Sequence, residues 1–152
     1  MVIEITTMKA CHVKPVAAIE QISFSEPWSE QAFMDTLDNE EYIYLVALFE
    51  NEVVGYAGCV ISLDEGSVTN IAVHKDYRQI GIGEELMMQL RKQLILKAVK
   101  QIFLEVRESN VAARTLYHKC GYEEIGLRKN FYRKPDEHGI VMRLEISEAD
   151  NA

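Results

Sequence analysis

The chain is predicted to fold as an α/β protein of the α+β type, with a mixed, mostly antiparallel central sheet flanked by helices. Three observations predict it. Residues 42–73 hold three β-branched and aromatic runs separated by short turns, the pattern of an antiparallel meander. A glycine-bearing turn, Arg78-Gln79-Ile80-Gly81-Ile82-Gly83, joins the last of these runs to a long amphipathic segment. Beyond that segment, strand-like and helical stretches alternate before a final pair of strand-like runs.

Residues 2–6 read as a short first strand. Residues 12–25 carry Val16, Ala18, Ile19 and Ile22 at helical spacing, and Pro27 breaks that helix. Ser29 then resembles an N-cap, and Gln31, Ala32, Phe33 and Leu37 suit a second, short helix. Runs 42–49 and 53–63 are rich in strand-favouring residues, with Asn51-Glu52 as the turn between them. After the turn Asp64-Glu65-Gly66, residues 66–73 read as a third strand. From Ile82 towards Ala98, the residues Leu86, Leu90, Leu94 and Ala98 form one stripe with Met87 beside it. Lys97 and Lys100 lie where cations suit a helix C-terminus. Residues 101–106 read as a strand. Ser109 or Asn110 caps a helix running towards Cys120, with Gly121 in the left-handed position after it. Residues 122–127 and 139–146 make the last two strands. The chain is read as a single domain over 1–147 with a short tail at 148–152.

The glycine turn is the strongest chemical signal. Two glycines at a strand-to-helix junction let backbone N–H groups approach a ligand, and the helix N-terminus adds about half an elementary charge. Together these make an anion site, most often for phosphate. A Walker A loop would end in Gly-Lys-Ser/Thr, whereas Glu84 follows Gly83 here. A dinucleotide fingerprint would need a third glycine and an acidic residue roughly 20 positions on. Neither is present, which leaves Arg/Gln-x-x-Gly-x-Gly. A glycine turn that merely caps a surface helix would read the same way.

Composition bounds the rest. A length of 152 residues fits one domain, and 48% hydrophobic with 26% charged residues is ordinary for a globular protein. No apolar run approaches the roughly 20 residues of a membrane span, and the first residues lack the pattern of a signal peptide. Cys11, Cys59 and Cys120 are odd in number and far apart, so neither a disulfide framework nor a metal site is expected, and a cytoplasmic location is. A formal net charge of −8 argues against nucleic-acid binding and favours cationic partners, although ordinary solubility charge has the same signature.

A second constellation lies at 104–122. Strand parity puts Glu105 on one face with Phe103 and Arg107, and Ile102, Leu104 and Val106 on the other. A carboxylate in mid-strand is unusual; a solvent-facing position is the plain alternative. Asn110 and Tyr117 share a helix face about two turns or roughly 10 Å apart, so a linear ligand along that helix can touch both. Taken singly, Asn110 reads as a helix cap and Tyr117 as a core aromatic. His74 and His118 are competing candidate bases.

These segments resemble a known family. Asn70-Ile71-Ala72-Val73, Tyr77-Arg78-Gln79-Ile80-Gly81-Ile82-Gly83, Leu104-Glu105-Val106-Arg107-x-Ser109-Asn110-x-Ala112-Ala113 and Leu116-Tyr117-x-x-x-Gly121-Tyr122 are similar to the GNAT N-acetyltransferases, in particular the RimI-type ribosomal-protein-alanine N-acetyltransferases. Pro27-Trp28-Ser29-Glu30 and Arg128-Lys129-Asn130-Phe131-Tyr132 resemble that subfamily too. The resemblance implies the GNAT fold and acetyl-CoA as cosubstrate, with no metal. It implies that Ile71, Ala72 and Val73 meet the acetyl and pantetheine part through backbone groups. It implies that Arg78, Gln79, Ile80, Gly81, Ile82, Gly83 and Glu84 wrap the pyrophosphate, with Asn110 on the pantetheine arm. Glu105 is then the general base and Tyr117 the general acid, also touching the cofactor. Glu84 and Ile80 depart from the family pattern, which favours a basic and a polar residue there.

For the acceptor, the resemblance implies a protein N-terminal α-amine, that of a small basic ribosomal protein, with Trp28 and Tyr132 as walls; core packing is the alternative for Trp28. The acidic residues Glu26, Asp35, Asp38, Glu40 and Glu41 would attract such a tail. No direct nucleic-acid or membrane partner is expected. Two other readings compete: a GNAT acting on lysine, a polyamine or an aminoglycoside, and a silent acyl-CoA-binding module. Intact Glu105 and Tyr117 speak against the second of these.

Overall fold

A strand whose alternate residues are all apolar must be covered on both faces. The strand at 42–49 is such a case, and it divides its side chains between two cores: Leu45 and Ala47 on one face, Tyr44, Val46 and Leu48 on the other. The structure, a computed structural model, describes residues 1–147; the tail expected at 148–152 lies outside the described residues. In chain order the elements are β1 (Glu4–Thr7), α1 (Ala10–Ser23), α2 (Glu30–Thr36), β2 (Tyr42–Phe49), β3 (Glu52–Ser62), β4 (Glu65–Val73), α3 (Ile82–Leu96), β5 (Gln101–Arg107), α4 (Val111–Lys119), β6 (Glu123–Tyr132) and β7 (Glu137–Glu145). The strands form one sheet in the order β1-β2-β3-β4-β5-β7-β6, antiparallel throughout except between β4 and β5.

Helices α1 and α2 supply Val13, Val16, Ile19 and Phe33 to one core. Helix α3 supplies Ile82, Leu86, Leu90 and Leu94 to the other, with Tyr117 from α4. Leu86 and Leu94 are fully buried, and each such side chain contributes about 1.5–3 kcal/mol. Truncating either to alanine would cost about 2–5 kcal/mol through lost contact and the cavity left behind.

Several boundaries differ from the sequence expectation, each for a local reason. The β2–β3 turn is Glu50-Asn51, not Asn51-Glu52, because both residues adopt positive φ, 51° and 66°, which suits the twist of a two-residue hairpin. Strand β4 starts at Glu65, one residue before the expected Gly66, and a Cβ on Gly66 would sit 3.3 Å from Leu94, so the glycine serves helix–sheet contact. Helix α1 starts at Ala10 because His12 Nδ1 accepts the Lys9 backbone N–H at 3.0 Å. Helix α3 stops at Leu96, and Ala98 leaves it at φ 62°, off the stripe that Leu86, Leu90 and Leu94 share. Strand β6 runs on to Tyr132: Arg128 pairs with Gly139 and Tyr132 with Glu137, and residues 129–131 bulge between these pairs, Asn130 at φ 53°.

The feature that makes room for a site is a split in the sheet. Gly58 pairs with Asn70 and Cys59 with Val68, so Thr69 is the extra residue of a β-bulge in β4. Strands β4 and β5 pair only from Glu65, Gly66 and Ser67 to Gln101, Ile102 and Phe103. That ladder ends at Ser67, two residues before the bulge. The backbone edges of the later residues of β4 and β5 face a gap, not each other.

Candidate functional site

The glycine-bearing loop lies beyond the end of β4. After a 3-10 turn at Lys75–Tyr77, Gln79 and Gly81 both take positive φ, 63° and 92°, and α3 begins at Ile82. The first helical bond runs from Glu85 N–H to the Gly81 carbonyl at 3.0 Å. The N–H groups of Ile82, Gly83 and Glu84 therefore have no acceptor inside the helix, and Gly81 has no side chain to cap them. Three convergent N–H donors at a positive helix end fit a phosphate group. A Cβ on Gly83 would lie 3.2 Å from Leu116, so this glycine also admits α4 close to α3. Glu84 points to α4, where Lys119 Nζ meets its carboxylate at 2.9 Å, so its charge beside the loop is compensated. The side chain of Arg78 folds back instead of reaching forward: its Nε donates to the Val73 carbonyl at 3.0 Å. Ile80 is exposed.

A cavity of about 660 Å³ lies beside the split. It collects side chains from the end of α1, the α1–α2 loop, β4, β5, α4 and the β6–β7 hairpin. Of the residues singled out in the sequence, Ile71, Glu105, Asn110, Tyr117, Trp28 and Tyr132 line it; Ala72, Val73 and the loop 78–84 do not.

Strand β5 behaves as its parity requires, with Ile102, Leu104 and Val106 buried and Glu105 half-buried on the other face. Arg128 Nε lies 3.6 Å from Glu105 Oε1, an ion pair too long for a hydrogen bond. Tyr132 also senses Glu105: burial first, then that carboxylate, pushes its phenol up to about 12. Tyr117 is buried on α4 with its ring 6.2 Å from Tyr122. Burial raises its phenol well above the ordinary tyrosine range, so it holds its proton at neutral pH. No hydrogen bond from the Tyr117 hydroxyl to another described residue occurs. Asn110 does cap α4, its Oδ1 accepting Ala113 N–H at 3.1 Å. Trp28 packs against Phe33 and Tyr44 at ring-centroid distances of 5.3 and 6.1 Å while also lining the cavity. Core packing and wall are both true of it.

The competing bases stand elsewhere. His74 accepts Asp76 N–H and packs on Tyr77, and His118 lies 3.5 Å from Glu124; neither lines the cavity. No cysteine lines it either, and burial pushes the Cys59 thiol up to about 12. Among the described residues no group of three or more His, Cys, Asp or Glu is placed to hold a metal ion. Of the acidic residues expected to attract a basic tail, only Glu26 reaches the cavity, which Arg133 and Lys134 also line.

Two features escaped the sequence. Arg107 at the end of β5 donates to the Pro135 and Arg133 carbonyls at 2.9 and 2.8 Å, pairs with Glu137 at 3.2 Å, and lies 4.7 Å over the Tyr132 ring. Ser25 Oγ donates to the same Arg133 carbonyl at 3.2 Å, so the α1–α2 loop and the β6–β7 turn are tied together. Glu20 is buried at the cavity wall. Its signal was present: Val13, Val16, Ala17 and Glu20 follow the i, i+3, i+4, i+7 spacing of a core face, with a carboxylate in an apolar slot.

A split mixed sheet, a phosphate-shaped loop opening a helix, and a carboxylate facing a tyrosine across a cavity define an acyl-CoA-dependent transferase. Residues 13–122 match the acetyltransferase (GNAT) family, and the chain belongs to it: it is an acetyl-CoA-dependent N-acetyltransferase. It is 40% identical over 144 residues to the ribosomal protein bS18-alanine N-acetyltransferase of Haemophilus influenzae, covering 91% of this chain and 95% of that one. The crystal structure of the ribosomal-protein-S18-alanine N-acetyltransferase from Escherichia coli superposes with a TM-score of 0.88 at 32% identity, covering 96% of this chain and 95% of that one. Arabidopsis thaliana NAA60, solved in complex with acetyl-CoA, shares the fold with a TM-score of 0.87 at 15% identity, covering 95% and 99%.

Proposed function

We propose that the chain acetylates the N-terminal α-amine of a protein, a ribosomal protein beginning with alanine, by direct transfer from acetyl-CoA within one domain over residues 1–147 in the cytoplasm. The observation that carries this reading is the shared cavity: Glu105 from β5 and Tyr117 from α4 face the same space, beside the sheet split and between the walls of Trp28 and Tyr132. The names and identity of the relatives support the acceptor.

In this reading the loop residues Arg78, Gln79, Ile80, Gly81, Ile82, Gly83 and Glu84 hold the pyrophosphate of acetyl-CoA through backbone N–H groups. The opened edge of Ile71, Ala72 and Val73, with Asn110 Nδ2, holds the pantetheine arm; the Val73 carbonyl, already taken by Arg78, contributes least. Acetyl-CoA supplies the activated acetyl group. Glu105 takes a proton from the acceptor ammonium, directly or through water, since an α-amine titrates near 8 and must be neutral to attack. The new C–N bond forms as the C–S bond breaks, and Tyr117 gives its proton to the departing sulfur. Burial makes a tyrosinate costly, so that transfer is brief and Tyr117 is promptly reprotonated. No thiol is available at the cavity for a covalent route.

The decisive comparison is acetyl transfer to a basic peptide with a free N-terminal alanine against the same peptide blocked at its N-terminus but carrying free lysines. Fast transfer to the first alone is expected. Transfer to the blocked peptide alone, or to polyamines far faster than to either, overturns the assignment.

A further inference from the structure

Glu20 is the only buried charged side chain among the described residues, at 2% exposure. No cation lies within ion-pair distance of it among the described residues. Burying a carboxylate without a counter-charge is costly, so packing alone would favour leucine at this point of the α1 core face. Three donors from three separate places converge on it instead. Tyr56 OH on β3 donates to Oε1 at 2.5 Å; Trp28 N–H in the α1–α2 loop and Asn70 Nδ2 on β4 donate to Oε2 at 3.0 and 3.1 Å.

The carboxylate also sets the sense of the bonds beyond it. It can only accept, so Asn70 must present its Nδ2 and turn its Oδ1 away. Tyr44 OH then donates to Asn70 Oδ1 at 2.6 Å, which leaves Thr69 Oγ1, 2.7 Å from the Tyr44 oxygen, as the donor there. Thr69 is the bulge residue of the β3–β4 ladder, two positions beyond Ser67, where the β4–β5 pairing ends. One buried carboxylate therefore holds the backbone of the cavity wall at Trp28 and, through three hydrogen bonds by way of Asn70 and Tyr44, the bulge residue Thr69 beside the split.

We propose that Glu20 is a positioning residue: it seats the Trp28 wall against the Thr69–Asn70 bulge and so sets how the acceptor amine meets the acyl group. This rests on the reading of the cavity as the acceptor site. Geometry, not charge, is the requirement. Glu20→Gln can place its amide oxygen where Oε2 stands and keep both the Trp28 and Asn70 bonds, whereas Glu20→Asp keeps the charge but is one methylene too short to reach all three donors.

The test uses both variants of the full chain, with two readouts. Trp28 is the sole tryptophan, so acrylamide quenching of its emission reports the wall without any substrate. The acceptor KM reports the amine's approach, and acetyl-CoA affinity serves as control. Expected for Glu20→Asp are stronger quenching and an acceptor KM raised about tenfold or more, since misplacement by about an ångström has effects of that order or larger. Glu20→Gln is expected to stay near native in both. Loss of stability alone moves neither readout well below the unfolding temperature. Native values for Glu20→Asp, or a Glu20→Gln defect as large as that of Glu20→Asp, overturn the proposal. If Glu20→Asp does not fold, Glu20→Gln decides: native quenching and KM support a geometric role, and a tenfold rise in KM overturns it. Quenching that changes while the acceptor KM does not supports the seating of Trp28 by Glu20 and overturns the acceptor reading of the cavity.

Discussion

The glycine loop and the cavity are built by opposite means. The loop 79–84 is contiguous, presents main-chain N–H groups, and depends on the φ angles of Gln79 and Gly81. The cavity is assembled from side chains of six separate parts of the fold, and its chemistry depends on which of them face one another. A loop of the first kind tolerates side-chain change and fails when its backbone is forced. A cavity of the second kind tolerates little at a few side chains. Mutation distinguishes the two.

The largest effect is expected in the cavity. Glu105→Gln should lower turnover by roughly 10²–10⁴-fold if Glu105 is the base, with acetyl-CoA binding retained. Unchanged kcat at neutral pH, followed by CoA release, would hand proton removal to solvent and leave the cavity without its central group. Tyr117→Phe should cost about 10²-fold, near the low end for an acid–base group, because water can protonate the leaving thiolate. If acetyl-CoA affinity falls while single-turnover chemistry does not, Tyr117 positions the thioester and is no acid.

The glycine loop should respond to backbone strain. A Cβ at Gly81 meets nothing within 4 Å, so space is not the obstacle; its φ of 92° is. Gly81→Val forces a β-branched residue into a region that costs it about 1–2 kcal/mol or more, or the loop refolds and the N–H groups diverge. Acetyl-CoA affinity measured by calorimetry should drop by about tenfold or more. Retained affinity would mean that the loop is not held by its left-handed turn.

A smaller, pH-dependent effect belongs to the hairpin wall. Hydrogen bonding from Ser109, and then Arg107, holds the Glu137 carboxyl below its ordinary range. A carboxyl depressed in the folded state stabilises above its unfolded pKa, about 4.3, and that stability is lost as pH falls through the lower folded value. The Tm gap between the native chain and Glu137→Gln should therefore be present at neutral pH and close in acid. A gap independent of pH would remove Glu137 from the support of the turn. The smallest effect sharpens the comparison from the other side. Ile80→Ala should leave acetyl-CoA affinity within about twofold, since an exposed loop side chain contributes little where the backbone does the binding. A large loss on isothermal titration would show that the loop reads with side chains after all.

Sequence alone determined the order of elements, the two-sided sheet, the alternation of β5, a cap at Ser109 or Asn110 that the fold assigns to Asn110, and the left-handed turn at Gly121, because each is written in residues within a few positions of one another. The glycine turn at 78–83 was legible for the same reason: positive φ and a helix start are local properties. The extension of β6 through Arg128, Lys129 and Asn130 was not, since edge pairing with β7 overrode a loop-like composition. Nor was the fold-back of Arg78 onto Val73, or the tie made by Arg107. Glu20 marks the boundary most sharply. It was not on the face read from the sequence, which took Ala18 and Ile22 as apolar partners of Val16 and Ile19, although both are exposed. What made the burial of Glu20 tolerable, and gave it a place beside the site, are partners 8, 36 and 50 positions along the chain, and a polar group's worth in a core is set by the partners that only tertiary folding brings to it.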